Sequence, residues 1–265
     1  MKKYLEVFRM SFKMQIVWRF DVAMTMVATA GRILAAWILW QAIFSQNMMI
    51  KGFSLSAMLS YYLVSSILSS IDFSGQISGE VSELIKNGRF SGHMVTPINP
   101  LFFFGSMTTG ETAFHIGFSF LTAVLCAILF GINIIFTQDI AAILLAILLI
   151  FFGLAFMACY HYTIGILTFK YPEIGFFMHI QGSIIAFATG FYVPLSLLPD
   201  NVLNIIRFLP FPHVVFTPTM LLCGQTDIAE GLFSLAMIAV WTLIMFAISQ
   251  YTYKRLRVKY DGVGI

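Results

Sequence analysis

Long apolar runs separated by short polar breaks set the pattern of this chain. From about Val22 to Phe44 only Arg32 interrupts an apolar stretch, and a polar turn follows at Ser45, Gln46, Asn47, Lys51 and Gly52. A second run extends from about Leu55 to Ile71, with Ser54 or Ser56 placed as its N-cap and Asp72 as its end. Apolar positions resume at Leu101 and continue to Ile135, longer than one crossing needs. The first ten of these read as a segment along the membrane surface and about Thr112–Asn133 as a third span, with Glu111 at the junction. Asp139 marks a turn before a fourth run, about Ile140 to Phe169. Lys170-Tyr171-Pro172-Glu173 is the next break, followed by a fifth run from Ile174 to Val193 and a sixth from Ala229 to Tyr251. A helix needs roughly 20 apolar residues to cross a bilayer, so these runs predict six spans.

Three segments depart from that pattern. In residues 1–20, Lys2, Glu6, Arg9 and Lys13 fall on one narrow stripe of a helical wheel, flanked by Leu5, Phe8, Phe12, Ile16 and Trp18. A thin charged stripe between bulky apolar flanks predicts a helix lying in the membrane interface. No short apolar core with a small-residue cleavage site follows it, so it does not read as a signal peptide. In residues 72–100, Val81, Leu84 and Ile85 share one helical face while Glu80, Glu83 and Lys86 take the others. This short helix is expected between Gly79 and Gly88, where Asn87-Gly88 is a stop signal. Pro97 and Pro100 then punctuate the return to the apolar run. Residues 194–226 hold Pro194, Pro199, Pro210, Pro212 and Pro218, five of the eight prolines in the chain, in a segment that is still apolar. Five prolines forbid one continuous crossing helix. The expectation is a pair of short broken helices, one started by Asp200 and the other ended by Gly224, dipping into or lying on the membrane.

Composition agrees with the pattern. The 265 residues are 59% hydrophobic and 10% charged, with a mean hydropathy of +0.89, far too few charges to cover a soluble domain of this size. No soluble domain, internal repeat or low-complexity tract stands out, and residues 1–265 read as one all-α membrane domain. The charges are unevenly placed. Six spans put on one side Lys2, Lys3, Arg9, Lys13 and Arg19, Lys86 and Arg89, Lys170, and the tail residues Lys254, Arg255, Arg257 and Lys259, leaving only Lys51 and Arg207 opposite. The positive-inside rule therefore expects both termini and the 72–100 loop in the cytoplasm, and the proline-rich segment outside. Short loops between spans fit a bacterial inner membrane. A net charge of +3 gives no ground for nucleic-acid binding.

Catalytic patterns are missing. The chain has no G-x-x-x-x-G-K-[ST] and no H-E-x-x-H. His93, His115, His161, His179 and His213 are scattered without a metal-ligand pair at helical spacing, and Cys126, Cys159 and Cys223 have neither metal nor redox spacing. Arg32 and Glu111 are the ionisable residues, apart from lone histidines, within or at the edge of spans. Two arrangements are open: they could pair if spans 1 and 3 are neighbours, or Glu111 sits at the cytoplasmic boundary and Arg32 bonds to polar groups elsewhere. A short charged helix projecting from a membrane bundle suits docking into a groove on a soluble partner.

This order of parts resembles the permease subunits of type-2 ABC exporters. The run Glu83-Leu84-Ile85-Lys86-Asn87-Gly88-Arg89-Phe90 with Pro97 is similar to that family's coupling-helix region. The run Phe191-Tyr192-Val193-Pro194-Leu195, then Leu198-Pro199, Leu209-Pro210-Phe211, Pro218 and Gly224, is similar to the external segment of its daunorubicin-type or multidrug members, and so is the ending Lys259-Tyr260-Asp261-Gly262-Val263-Gly264. The resemblance implies a six-span permease with an interfacial N-terminal helix, a cytoplasmic coupling helix and a broken external hairpin. It implies a separate ATPase dimer holding ATP and Mg, no cofactor on this chain, and a second permease, identical or homologous. Glu80, Glu83, Lys86, Gly88 and Arg89 would form the ATPase contact, and the first spans of the two halves would help line the path for an amphipathic or hydrophobic cargo. A membrane scaffold or immunity protein that binds a partner without transport is the alternative.

Overall fold

The computed structural model describes residues 2–46, 49–69 and 75–259. Asp72 and the ending from Tyr260 to Gly264 lie outside them. Among the described residues the chain forms eleven α-helices and no strand: α1 (Lys2–Met14), α2 (Arg19–Phe44), α3 (Leu55–Leu68), α4 (Gly75–Lys86), α5 (Ser91–Val95), α6 (Pro100–Leu129), α7 (Ile140–Ile166), α8 (Gly175–Ala188), α9 (Asp200–Ile206), α10 (Phe216–Leu222) and α11 (Ile228–Leu256). Four of them, α2, α6, α7 and α11, are long and apolar enough to cross a membrane; α3 and α8 are apolar but only 14 residues each.

Local chemistry sets the ends. Ser54 caps α3 by accepting from the Ala57 amide at 3.2 Å, and Asp139 caps α7 by accepting from Ala141 at 2.9 Å. Asn99 caps α6 with Pro100 at its first position. Beyond Pro100 no proline interrupts α6, so the expected surface segment and third span are one helix of 30 residues, about 45 Å long. It ends at Leu129, short of Asn133, because Gly131 turns the chain with φ +62. The fifth run stops at Ala188, short of Val193, where Gly190 adopts φ +77 and the backbone closes against the Tyr61 hydroxyl, which donates to Gly190 O at 2.6 Å.

The N-terminal helix ends at Met14, and a turn leads into α2 at Arg19, so it does not reach residue 20. It packs along α6 rather than standing apart. Ser11 is buried, Phe12 meets Phe114 edge-on at 5.3 Å, and Gly110 lies so close to the Phe8 carbonyl that a Cβ there would collide with backbone. Its charged stripe of Lys2, Glu6, Arg9 and Lys13 faces outward.

Helix α7 is the centre of the bundle. Leu145, Leu149, Phe156 and Met157 lie in a core completed by Ile185, Val214, Leu221 and Ile238. Helix α11 runs parallel to it: Gly231 abuts Leu145, Thr242 meets the Phe152 carbonyl, and Tyr253 meets Tyr162. Helices α2 and α6 are also parallel, since Ile33 packs with Ala123, Cys126 and Ala127 while Trp37 stacks on Phe130 farther along. The described ends of the chain lie at one end of the bundle, where Lys3 donates to Pro97 O at 2.7 Å and Tyr253 packs on Phe90. We call this the terminal end and the opposite one the hairpin end.

Candidate functional site

Helix α4 is two-faced. Ile77, Ser78, Val81, Ser82 and Ile85 are buried on one side; Glu80, Glu83, Lys86 and Arg89 are exposed. The buried face rests on the last turn of α7. A Cβ at Gly165 would stand 2.8 Å from Val81 Cβ and 3.2 Å from Ser78 O, so only glycine permits this approach. Just beyond, Thr168 donates to Ser82 Oγ at 2.9 Å in a buried bond. Neither Gly165 nor Thr168 stood out in the sequence, because their partners lie more than 80 positions away.

The helix starts at Gly75, four residues before the expected boundary at Gly79, which sits inside it. An internal glycine costs about 1 kcal/mol in a helix, less than burying Ile77 and Val81 returns. The stop is as expected: α4 ends at Lys86 and Gly88 takes φ +73. Phe90 then turns inward, fully buried against Phe104, Phe169 and Tyr253, and pins the connection to α6 and α11. On the open face Arg89 and Glu83 form an exposed ion pair at 3.7 Å. Crowding by the bundle, aided by the Glu83 charge, pushes the Glu80 carboxyl above the ordinary carboxylate range.

The two intramembrane charges separate. Helices α2 and α6 are neighbours, but Arg32 stands beside the Ala123 level of α6, 12 residues or about 18 Å beyond Glu111. Glu111 lies toward the terminal end within electrostatic reach of Glu80. Arg32 donates to Thr29 Oγ1 at 3.2 Å and sits over the Phe191 ring at 4.9 Å. Of the two alternatives, the direct pair is therefore not formed, and Arg32 bonds elsewhere. Arg32 instead lines a cavity of about 330 Å³ with residues of α7, α8 and the hairpin.

At the hairpin end, α9 and the helical piece Phe211–Leu222, which contains α10, meet at 83° across the break at residues 207–210. Each proline has a place that costs no helical hydrogen bond. Pro194 and Pro199 precede short helical turns, Pro210 and Pro212 shape the 3-10 turn, and Pro218 falls in the first turn of α10. Gly224 closes α10 at φ +64. Lys51 donates to Leu198 O at 2.8 Å and Trp241 to Phe208 O at 2.9 Å, tying the hairpin to its neighbours. Arg207 pairs with Glu230 at 3.5 Å and His213 meets the Arg207 carbonyl at 3.0 Å.

Among the described residues no group of histidine, cysteine, aspartate or glutamate is arranged to hold a metal ion. A family model described as ABC-2 family transporter protein matches residues 30–264. No curated protein matches. The match spans most of the chain and takes in α3 to α11.

Proposed function

We propose that this chain, which belongs to the ABC-2 transporter family and is a multi-pass membrane subunit of an ABC transporter, is the permease of an ATP-driven exporter. It would work with a separate ATPase dimer that holds ATP and Mg, and with a second permease copy or homologue. The observation that carries the reading is α4. Its apolar face is locked to the end of α7 through Gly165 and Thr168, while Glu80, Glu83, Lys86 and Arg89 are exposed on the other side. A push on that outer face is passed directly to the central helix of the bundle.

The course of the helices supports six crossings. Consecutive long helices α2 and α6 are parallel, and so are α7 and α11. A chain can repeat a direction only by returning in between, and the shorter apolar helices α3 and α8 are the segments that would make the return. Both described termini and α4 then share one side, which the basic residues mark as cytoplasmic. A bacterial inner membrane and an amphipathic or hydrophobic cargo fit this arrangement, as does a place among the multidrug-type members.

The test is co-purification of the tagged chain from mild detergent in its native host. The wild type is expected to bring down a Walker-A ATPase in stoichiometric yield with vanadate-sensitive activity. The double swap E83R/R89E keeps the internal ion pair but reverses the charges offered to a partner. It should change the stability of the chain by less than about 1 kcal/mol and lose the ATPase. Undiminished ATPase recovery with the swap would sink the docking role of α4. Recovery of the intact permease alone, even after cross-linking, would favour a scaffold.

A further inference from the structure

Arg32 stands near the middle of α2, about 20 Å of helix from Arg19 and about 18 Å from Phe44. It is exposed to the cavity rather than packed away. A guanidinium offers five N–H donors. Among the described residues its hydrogen bond is the one to Thr29, and no carboxylate pairs with it. A cation at membrane depth normally faces a partner or a wet cavity. Here it faces a cavity of about 330 Å³, within the range of small-ligand pockets.

The lining of that cavity is divided. His179 and Ser183, one turn apart on α8, add polar groups to the lining beside Arg32's own. Met157, Val214 and Val215 supply an apolar wall, and Phe191 presents its ring under the guanidinium. The walls that bound it, α2 and α8, are thinly packed: in α8 only Gln181 and Ile185 are buried, and α2 leaves Val27 and Ile38 open to the surroundings. The cavity therefore lies at the side of the bundle where a molecule dissolved in the membrane reaches it without crossing the core.

We infer that this cavity binds an anionic amphipath, with Arg32 taking a phosphate or carboxylate head and the Met157–Val214–Val215 wall taking the apolar body. A guanidinium matches those planar or tetrahedral oxyanions in two-point contact. As a statement about cargo the inference rests on the exporter reading above; as a binding site it does not.

The experiment uses the full chain in phosphatidylcholine nanodiscs with dodecyl phosphate as the probe, followed by calorimetric titration. Saturable binding is expected in the wild type, weaker by about tenfold or more in R32Q and largely kept in R32K, in line with the loss of a charge-assisted contact. A neutral dodecyl maltoside should not compete, and inorganic phosphate alone should compete poorly. Replacing part of the bilayer by phosphatidylglycerol separates two sources: competition marks a resident lipid, and its absence marks a free amphipath, both using the inferred site. Binding by R32Q within twofold of wild type, or equal competition by the neutral detergent or by inorganic phosphate, overturns the inference. Should R32Q fail to fold, a fatty acid with a diazirine in its chain decides on the wild type: labelling must fall in the peptides that carry Met157 or Val214 and Val215, and labelling elsewhere overturns it. ATPase recovery with unchanged R32Q binding would remove this inference alone. Arg32-dependent binding without any ATPase would remove the exporter reading and leave the site.

Discussion

The flank of α7 that meets α4 and α11 and the wall formed by α2 and α8 are built in opposite ways. On the first, the packing leaves little room for a side chain: Gly165 lies beneath Val81 and the Ser78 carbonyl, and Gly231 is filled over by the Leu145 and Leu221 side chains. On the second, Gly31 of α2 and Gly182 of α8 have nothing within 4 Å of where a Cβ would stand. Large apolar side chains there, such as Val27, Ile38, Phe176 and Ile184, are open to the surroundings. In a membrane, helices associate through close packing rather than through hydrophobic exclusion. The first flank has therefore found its partners within the chain and is packed tightly against α4. The second has not, and its side chains are open to the surroundings. Force would enter through the rigid flank, and change at the open wall.

The strongest way to break that contrast is to loosen the rigid flank. Phe90 is fully buried among Phe104, Phe169 and Tyr253. Phe90→Ala should cost about 3–5 kcal/mol, read as a lowered thermal midpoint in detergent, with α4 the first helix to lose protection from hydrogen exchange. An unchanged midpoint would mean that the α4 connection is not tied to the bundle. Next is Gly165→Ala. Its methyl would press on Val81 and on the Ser78 backbone, and overpacking of this kind costs about 1–3 kcal/mol. Because the strain falls between α4 and α7, ATPase activity of the assembled complex should lose its response to the permease more than the bundle loses stability. Equal losses in both would deny α4 a transmitting role. At Gly110 an added methyl meets the Phe8 carbonyl and the Phe12 amide, backbone atoms that cannot turn aside. Gly110→Ala should lift α1 from α6, raising labelling of a cysteine placed at Ser11. The cost to the bundle itself should stay below about 1 kcal/mol.

What the sequence revealed follows from what is local. The apolar runs, a serine cap at Ser54 or Ser56, the turn at Asp139, the stop at Asn87-Gly88 and the broken proline segment rest on neighbours a few positions apart, and each was legible. The two-faced character of α4 was visible in Val81, Ile85, Glu80 and Glu83. Its start was not, because Gly79 reads as a boundary until Ile77 and Ser78 find α7 to bury against. The fate of Arg32 was not legible either. Its ring partner, Phe191, is 159 positions away, and the register that carries Arg32 past Glu111 depends on how α2 and α6 slide together. Glycines are the clearest case: Gly31 and Gly165 look alike in sequence, and only the fold says that one is crowded and the other free.

That difference gives the smallest and sharpest test. Gly31 is adjacent to Arg32 in the middle of α2, with open space where its side chain would be. Within the isolated chain Gly31→Ala relieves the conformational cost of a helical glycine and meets no neighbour. It should raise stability by about 0.5–1 kcal/mol, seen as a small upward shift in the thermal midpoint of the purified permease. The same change at Gly165 lowers it, so the pair of variants reads the two sides of the molecule with one methyl group each. A drop at Gly31 would mean that α2 is already closely packed in the purified protein. Since this chain supplies nothing within 4 Å, the partner would have to be a second chain. The open wall would then be an interface as tight as the α4 flank, and the contrast between them would reduce to which chain provides the neighbour.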